Sequence, residues 1–300
     1  MKFIKNYMIK FLILFLAILL GFYVCFFGVS QAKKYEIYNK ETAETKIYSI
    51  LHTETFEGGG KSRILYIKNI ARAIEKKHDG VLFMFKQIEP NNLEKELNSN
   101  HYDLISFGYG VGNQIIPHLL PLTKTYNVRD ELIESGQFSN KIYALPFIVS
   151  GYAKIFHNTD YSNVIYGSNL FTNPEKTGLD EPLTEIVGQY EAYKNFINNK
   201  DFALLGTARD VFRVNNLNSL GRTNAMMSAV TGYSDLIQYI GICSQDNIIE
   251  EFLTSIFSEK NQLNLVEYSL FSSLYNKLYF SGIYNDMENA ILSSAIPRVF

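Results

Sequence analysis

The segment Gly58-Gly59-Gly60-Lys61-Ser62 is the first place in this 300-residue chain where residue types and spacing could do chemistry. Its Gly-Lys-Ser ending is that of a phosphate-binding loop, whose backbone N–H groups cradle phosphates while the lysine reaches the outer ones. The glycine required five residues before Gly60 is replaced by Thr55, which argues against nucleotide binding. Three glycines still let a backbone approach a ligand, and a helix starting after Ser62 would offer free N–H groups to polar or anionic atoms. Gly108-Tyr109-Gly110-Val111-Gly112 approximates a dinucleotide fingerprint only loosely, with Asn113 where the third glycine belongs.

Catalytic patterns are scarce. His52, His78, His101, His118 and His157 show no i, i+4 pairing with a glutamate and no nucleophile elbow occurs, so each reads as a surface or capping histidine. Glu250-Glu251 falls on a helix with other charges and reads as a solvated face. Two isolated cysteines without a ligand cluster argue against a metal site and against a disulfide. The expectation is no enzyme, no cofactor and no metal. Tyr 21 and Phe 22 make aromatic stacking available, and Phe56, Tyr109, Phe147, Tyr152 and Tyr233 are candidates for contact with a ligand ring, with core packing the competing role. Lys+Arg 28 against Asp+Glu 30 supplies no basic field, which argues against nucleic acid as a partner.

Several elements must position these groups. Lys2, Lys5 and Lys10 precede an uncharged apolar run from Phe11 to Val29, an export signal that positive-inside bias orients with the remainder outside. A cleaved signal peptide, cut near Ser30-Gln31-Ala32, and a retained signal anchor both fit, and Cys25 lacks a lipobox before it. After a polar spacer at 33–45, a strand at 46–52, an amphipathic helix carrying Ile64, Ile67, Ile70, Ala71 and Ile74, a strand at 81–88, a short helix through Leu93 and Leu97 and a strand at 102–107 spell a parallel α/β sheet. The pattern resets near Pro117 and Pro121, and a long strand over 141–156 is expected to open a new sheet. Residues 159–181 read as loop, 182–198 as helix, 202–206 as strand, 215–218 as a polar turn, 236–242 as strand and 248–257 as helix. Ligands of open α/β sheets sit beyond the carboxyl ends of strands, where the Gly58 and Gly108 loops both lie.

Taken in order, these segments resemble the extracellular solute-binding proteins of ABC importers. Thr53-Glu54-Thr55-Phe56-Glu57-Gly58-Gly59 with the helix to His78-Asp79-Gly80-Val81 is similar to that family's opening strand and helix. Tyr102 to Gly108 is similar to its third strand. Asn140-Lys141-Ile142-Tyr143-Ala144-Leu145-Pro146-Phe147, through Gly151-Tyr152 to Phe156-His157-Asn158, carries the most specific likeness. Phe202 to Thr207 and Glu250 to Gln262 add weaker ones.

The resemblance implies an α/β, two-lobed, type 2 periplasmic-binding-protein-like fold with a hinge and an interlobe cleft, preceded by an N-terminal transmembrane or signal helix (1–32). It places lobe 1 at 43–120 plus 236–280, and an abbreviated lobe 2 at 121–235 plus 281–300. It implies that Glu54, Glu57, Ser106, Tyr109, Pro146, Phe147, Tyr152, Thr207 and Arg209 lie near the cleft, and with Phe56, Gly58 and Tyr233 from the aromatic and glycine readings these make up the expected ligand site. The expected function is capture of a small polar solute, of which carbohydrate is one class, by a monomeric, membrane-associated ectodomain for an ABC permease. A membrane-anchored sensor or interaction module that kept the fold without transport is the competing expectation.

Overall fold

The opening strand β1 (Lys46–Thr53) is built from β-branched and aromatic residues, and its burial rises along its length until the last four residues are all buried. The computed structural model describes Phe15, Leu16, Leu19, Tyr23 and residues 45–300. Those four early residues are helical and exposed, while the rest of the apolar run, Cys25 and the spacer lie outside the described residues. Residues 47–300 form one compact unit, separate from residues 1–46. Among the described residues no helix is long and apolar enough to cross a membrane.

Helix α1 (Arg63–Lys77) follows β1 and buries Ile64, Ile67, Ile70, Ala71 and Ile74, the set the helical spacing predicts. Strands β2 (Val81–Ile88) and β3 (Leu104–Gly108) complete the opening sheet, with β3 parallel to β1 in the register Ile50↔Leu104 and His52↔Ser106. The expected single strand over 141–156 is two strands in two sheets. After a small hairpin, β4 (Gln137–Phe138) and β5 (Lys141–Ile142), β6 (Ala144–Val149) joins the first sheet and β7 (Tyr152–Phe156) the second. A continuous apolar run carries no mark of that passage except Gly151, where a Cβ would lie 3.0 Å from Ile291.

The remaining strands are β8 (Asn163–Gly167), β9 (Leu183–Ile186), β10 (Phe202–Thr207), β11 (Met226–Ala229), β12 (Ile237–Ile242) and β13 (Phe271–Ser272). The longer remaining helices are α2 (Gln189–Asn198), α3 (Ala208–Ser219), α4 (Asn247–Ile256) and α5 (Gly282–Leu292). The first sheet runs β13-β6-β12-β3-β1-β2 and the second β11-β7-β10-β8-β9. Strand β8 lies where a loop was expected: Val164, Ile165 and Tyr166 form too short a buried run between polar flanks to show a period. Residues 215–218 belong to α3 rather than to a turn, its four asparagine and serine residues lying on a helix already nucleated by its capping box.

The chain passes between the sheets at Ser150–Gly151, at Val230–Leu236 and in the segment after β13. The first two passages are tied together by Ser150 N–H to the Leu236 carbonyl at 2.8 Å and Ser234 Oγ to the Ser150 carbonyl at 2.6 Å. Residues 144–149 therefore pair within the first sheet, where the sequence reading placed them in lobe 2, while 137–142 form their own two-stranded hairpin. Helix α5 packs on β11, but Phe300 returns to the first sheet, 6.2 Å from the Phe107 ring. The two lobes face each other across a seam at the carboxyl ends of β1, β3, β8 and β10.

Candidate functional site

Glu54 follows β1 directly, and its position two residues after His52 in extended chain puts both side chains on one side. His52 Nε2 and Glu54 Oε1 are 3.0 Å apart, and Glu54 Oε2 meets Arg63 Nη2 at 3.2 Å. Burial alone would raise the Glu54 pKa, but the Arg63 charge and the His52 hydrogen bond outweigh it and hold the carboxyl well below the usual carboxylate range. Burial lowers the His52 pKa against the pull of Glu54. A neutral imidazole with its proton on Nε2 then donates to Glu54, accepts the Ser106 hydroxyl at Nδ1 (3.0 Å), and leaves Ser106 Oγ to accept Gln238 Nε2 at 3.1 Å. The order Ser-His-Glu is that of a hydrolytic triad, yet Ser106 and His52 are wholly buried and the hydroxyl has no substrate-facing side. His52 is thus not the surface or capping histidine the sequence suggested.

The glycine loop is fixed by its own chain. Gly59 has φ 74°, and a Cβ there would lie 2.3 Å from the Tyr268 carbonyl. Gly60 N–H donates to that same carbonyl. The Gly59 and Gly60 carbonyls point to lobe 2, where Arg209 Nη1 donates to them at 3.2 and 2.8 Å. The loop presents carbonyl acceptors to a guanidinium, a polarity opposite to that of a phosphate cradle. Phe56 lies beneath Arg63, whose guanidinium carbon is 4.0 Å from the ring centroid.

From the other side, Thr207 closes β10 and caps α3, accepting the Arg209 N–H while Asp210 accepts the Thr207 N–H at 3.0 Å. Burial pushes the Asp210 carboxyl up to about 6. Arg213, one turn further, reaches Asp210 at 3.1 Å and Glu57 at 2.8 Å. A strap at residues 168–173 completes the closure: Asn169 Nδ2 donates to the Thr55 carbonyl at 2.6 Å, and a Cβ on Gly110 would lie 2.8 Å from the Phe171 carbonyl. Sizeable hollows, about 350 Å³ beside Lys124 and about 600 Å³ around His157 and Arg222, lie away from this seam.

At the second passage Asp235 is buried, taking the Tyr152 hydroxyl at 2.7 Å on Oδ1 and the Tyr233 hydroxyl at 3.2 Å and Asn173 N–H at 2.7 Å on Oδ2. Tyr109 faces Tyr233 from lobe 1, and burial, Asp235 and Tyr109 together raise the Tyr233 pKa. Along the same seam Thr53 Oγ1, Thr55 Oγ1, Ser150 Oγ, Gln238 Oε1, and Arg63 Nε and Nη1 are buried without a hydrogen-bond partner in the protein. Buried polar atoms are ordinarily paired, so their concentration marks the seam as a place with spare hydrogen-bonding capacity.

The structure brings Glu54, Phe56, Glu57, Gly58, Ser106, Tyr109, Tyr152, Thr207, Arg209 and Tyr233 to the seam or its hydrogen-bonded floor. It does not bring Pro146 or Phe147. Pro146 pairs with Tyr239 inside the first sheet, and Phe147 stacks on Tyr66 in the core at 6.2 Å. Arg63, Arg213, Asp235, Gln238 and the strap were missed. Asp235 two residues after Tyr233 was the one local signal, the same i, i+2 relation as His52 and Glu54. Among the described residues no group of three or more histidine, cysteine or acidic side chains could hold a metal ion.

Two sheets joined by crossing strands, with polar loops at their facing ends, are the arrangement of a two-lobed binding protein. The fold is that of the type 2 periplasmic binding proteins. This type 2 fold is shared with the GacH receptor of Streptomyces glaucescens, solved unliganded and with acarbose, at TM-score 0.60 and 11% identity over 84% of this chain and 88% of that one. It is shared with a maltodextrin-binding protein from L. casei at TM-score 0.59, 12% identity and coverages of 85% and 88%. A galacto-N-biose and lacto-N-biose I binding protein of a Bifidobacterium longum ABC transporter matches at TM-score 0.58, 11% identity and coverages of 86% and 88%. No protein-family model matches the chain and no curated protein matches it in sequence.

Proposed function

We propose that this chain is an exported solute-binding protein that captures a small polar solute between its lobes and presents it to an ABC permease. The observation that carries the reading is the seam itself: two tied passages form a hinge, charged groups from both lobes close on each other, and unpaired buried polar atoms line the contact. Hinge closure around a ligand is the working motion of such an architecture. The solved neighbours named for binding sugars make carbohydrate the first ligand class to test. Export rests on the lysine-flanked apolar run, which as a retained anchor would hold a monomeric ectodomain at the outer membrane surface. Glu54, Glu57, Tyr109, Tyr152, Arg209 and Tyr233 are proposed as solute contacts once the lobes part. The functional groups recognise rather than transform, so no catalytic step is assigned.

The test is calorimetry of the purified protein against neutral oligosaccharides, peptides and amines. Saturable binding with one site per chain, accompanied by a change in radius of gyration, supports solute capture. A protein that binds no member of the panel, and whose radius of gyration no member changes, overturns it.

The strap favours a second reading, a sensor or interaction module that kept the fold without transport, because residues of the chain itself fill the space between the lobes. One neighbour of the same fold is described as a two-component system protein mediating signal transduction, at TM-score 0.56, 12% identity and coverages of 85% and 94%. A pull-down that recovers a signalling protein, with no solute bound by either lobe, supports that reading over transport.

A further inference from the structure

Asp235 sits at the hinge with no exposed surface, and among the described residues it forms no ion pair. The other seam carboxylates differ from it: Glu54 faces Arg63, and Glu57 and Asp210 share Arg213. A buried carboxylate without a cation is expensive, and hydrogen bonds from neutral phenols and one backbone amide offset only part of the desolvation. Burial accordingly raises the Asp235 pKa despite those hydrogen bonds.

The groups around this carboxylate are aromatic. Tyr152 and Tyr233 bond to it directly, and Tyr109 stands beside Tyr233 on the opposite lobe. A tyrosine face attracts an ammonium through its ring quadrupole. One ring of the cluster already does so: the exposed Lys176 ammonium lies over Tyr233, 5.7 Å from the centroid. On the cleft side the strap reaches Oδ2 through Asn173 N–H at 2.7 Å, beside the Tyr233 hydroxyl. Withdrawal of the strap would break that contact and bare a carboxylate lone pair toward the seam.

We infer that the Asp235 cluster recognises an organic ammonium group, so that the solute of the seam is an amine or quaternary ammonium compound and not a neutral sugar. This rests on the solute-binding reading and narrows its ligand class. The cation supplies the missing countercharge to Asp235, the phenol rings of Tyr109 and Tyr233 cover its alkyl groups, and the unpaired Thr53, Thr55 and Gln238 oxygens of the neighbouring floor remain for its polar substituents.

The experiment is isothermal titration of the full chain in detergent with choline, putrescine and maltose at matched ionic strength. Saturable binding of choline or putrescine with no maltose binding is expected. The Asp235→Asn variant should lose that affinity by at least tenfold. Because that residue ties the hinge, a second variant guards against misfolding: Tyr109→Leu, at a half-buried position, should keep the unliganded melting temperature and weaken ammonium binding about fivefold. Ammonium affinity unchanged in both variants overturns the inference, as does saturable maltose binding without ammonium binding, which would leave solute capture standing. Binding of no probe at all also overturns it, and widening the panel to peptides then decides the broader reading separately.

Discussion

Glu57 of the first lobe and Arg213 of the second meet at 2.8 Å across the seam, and the same guanidinium also holds the buried Asp210. One arginine thus latches the lobes and stabilises a carboxylate inside its own lobe. Arg213→Ala is expected to lower stability by roughly 2 kcal/mol, the scale of lost hydrogen bonds to charged groups, rather than by the smaller value of an exposed surface pair. Glu57→Gln breaks the latch and leaves the Arg213–Asp210 pair, so it should change stability by less than about 1 kcal/mol while enlarging the radius of gyration in solution scattering. Equal scattering profiles for wild type and Glu57→Gln would show that the latch does not set closure.

The pH dependence has a sign that can be worked out residue by residue. Asp210 is raised to about 6 by burial, so its native form keeps a proton that the unfolded form has released above about 4. A raised folded pKa gives stability present at low pH and lost as pH rises through 6. Asp210→Asn removes that dependence, so the variant should gain about 2 kcal/mol relative to wild type between pH 4.5 and 7. His52 and Glu54 act oppositely. Both have folded pKa values below their unfolded ones, so their contribution is full at neutral pH, with His52's share declining as pH falls below about 6.5 and that of Glu54 below about 4.5. Denaturant melts of wild type and Asp210→Asn at four pH values between 4 and 7 check both directions.

Much of the fold was legible because its first sheet is regular. Ile64, Ile67, Ile70, Ala71 and Ile74 announce α1 through their spacing, and the Tyr102–Gly108 run announces β3. The passage at Ser150–Gly151 was not legible, since an apolar strand entering a second sheet keeps the same composition on both sides of the crossing. The seam was legible where loops follow strands, at Glu54–Gly58 and Tyr109. It was not legible where the partner is remote: nothing near Arg213 names Glu57, and nothing near Asn169 names the Thr55 carbonyl. Phe147 looked like a ligand contact because an aromatic side chain in a strand gives no indication of which face it occupies until its neighbour Tyr66 is placed.

Gly59 separates conformational strain from steric contact. Its φ of 74° alone would make Gly59→Ala unfavourable by about 1 kcal/mol, and the 2.3 Å approach of a Cβ to the Tyr268 carbonyl adds a clash with backbone that has no soft end to move. Gly221, with φ 64° and open space around it, carries the strain without the clash. Thermal melts should therefore place Gly59→Ala several degrees below Gly221→Ala. Similar melting temperatures would mean that the Gly58–Ser62 loop is free to shift, and with it the carbonyls that Arg209 holds.

The strap covers the seam, and its release is expected to set the rate at which solute enters. Among the described residues Asn169 makes its one side-chain hydrogen bond to the first lobe, through the Thr55 carbonyl, while Leu170 beside it is 88% exposed. Asn169→Ala should leave the melting temperature within a few degrees of wild type, because a single hydrogen bond is worth about 1 kcal/mol. It should raise the solute association rate several-fold, since entry requires the strap to leave the floor on each encounter. The chain has no tryptophan, so tyrosine fluorescence in a stopped-flow mixer reports the step, with Tyr109, Tyr152 and Tyr233 at the seam as the changing fluorophores. Leu170→Ala serves as the control that touches the strap but not its tie, and an equal acceleration in both variants would assign the effect to general loosening of the strap and not to the Asn169 hydrogen bond.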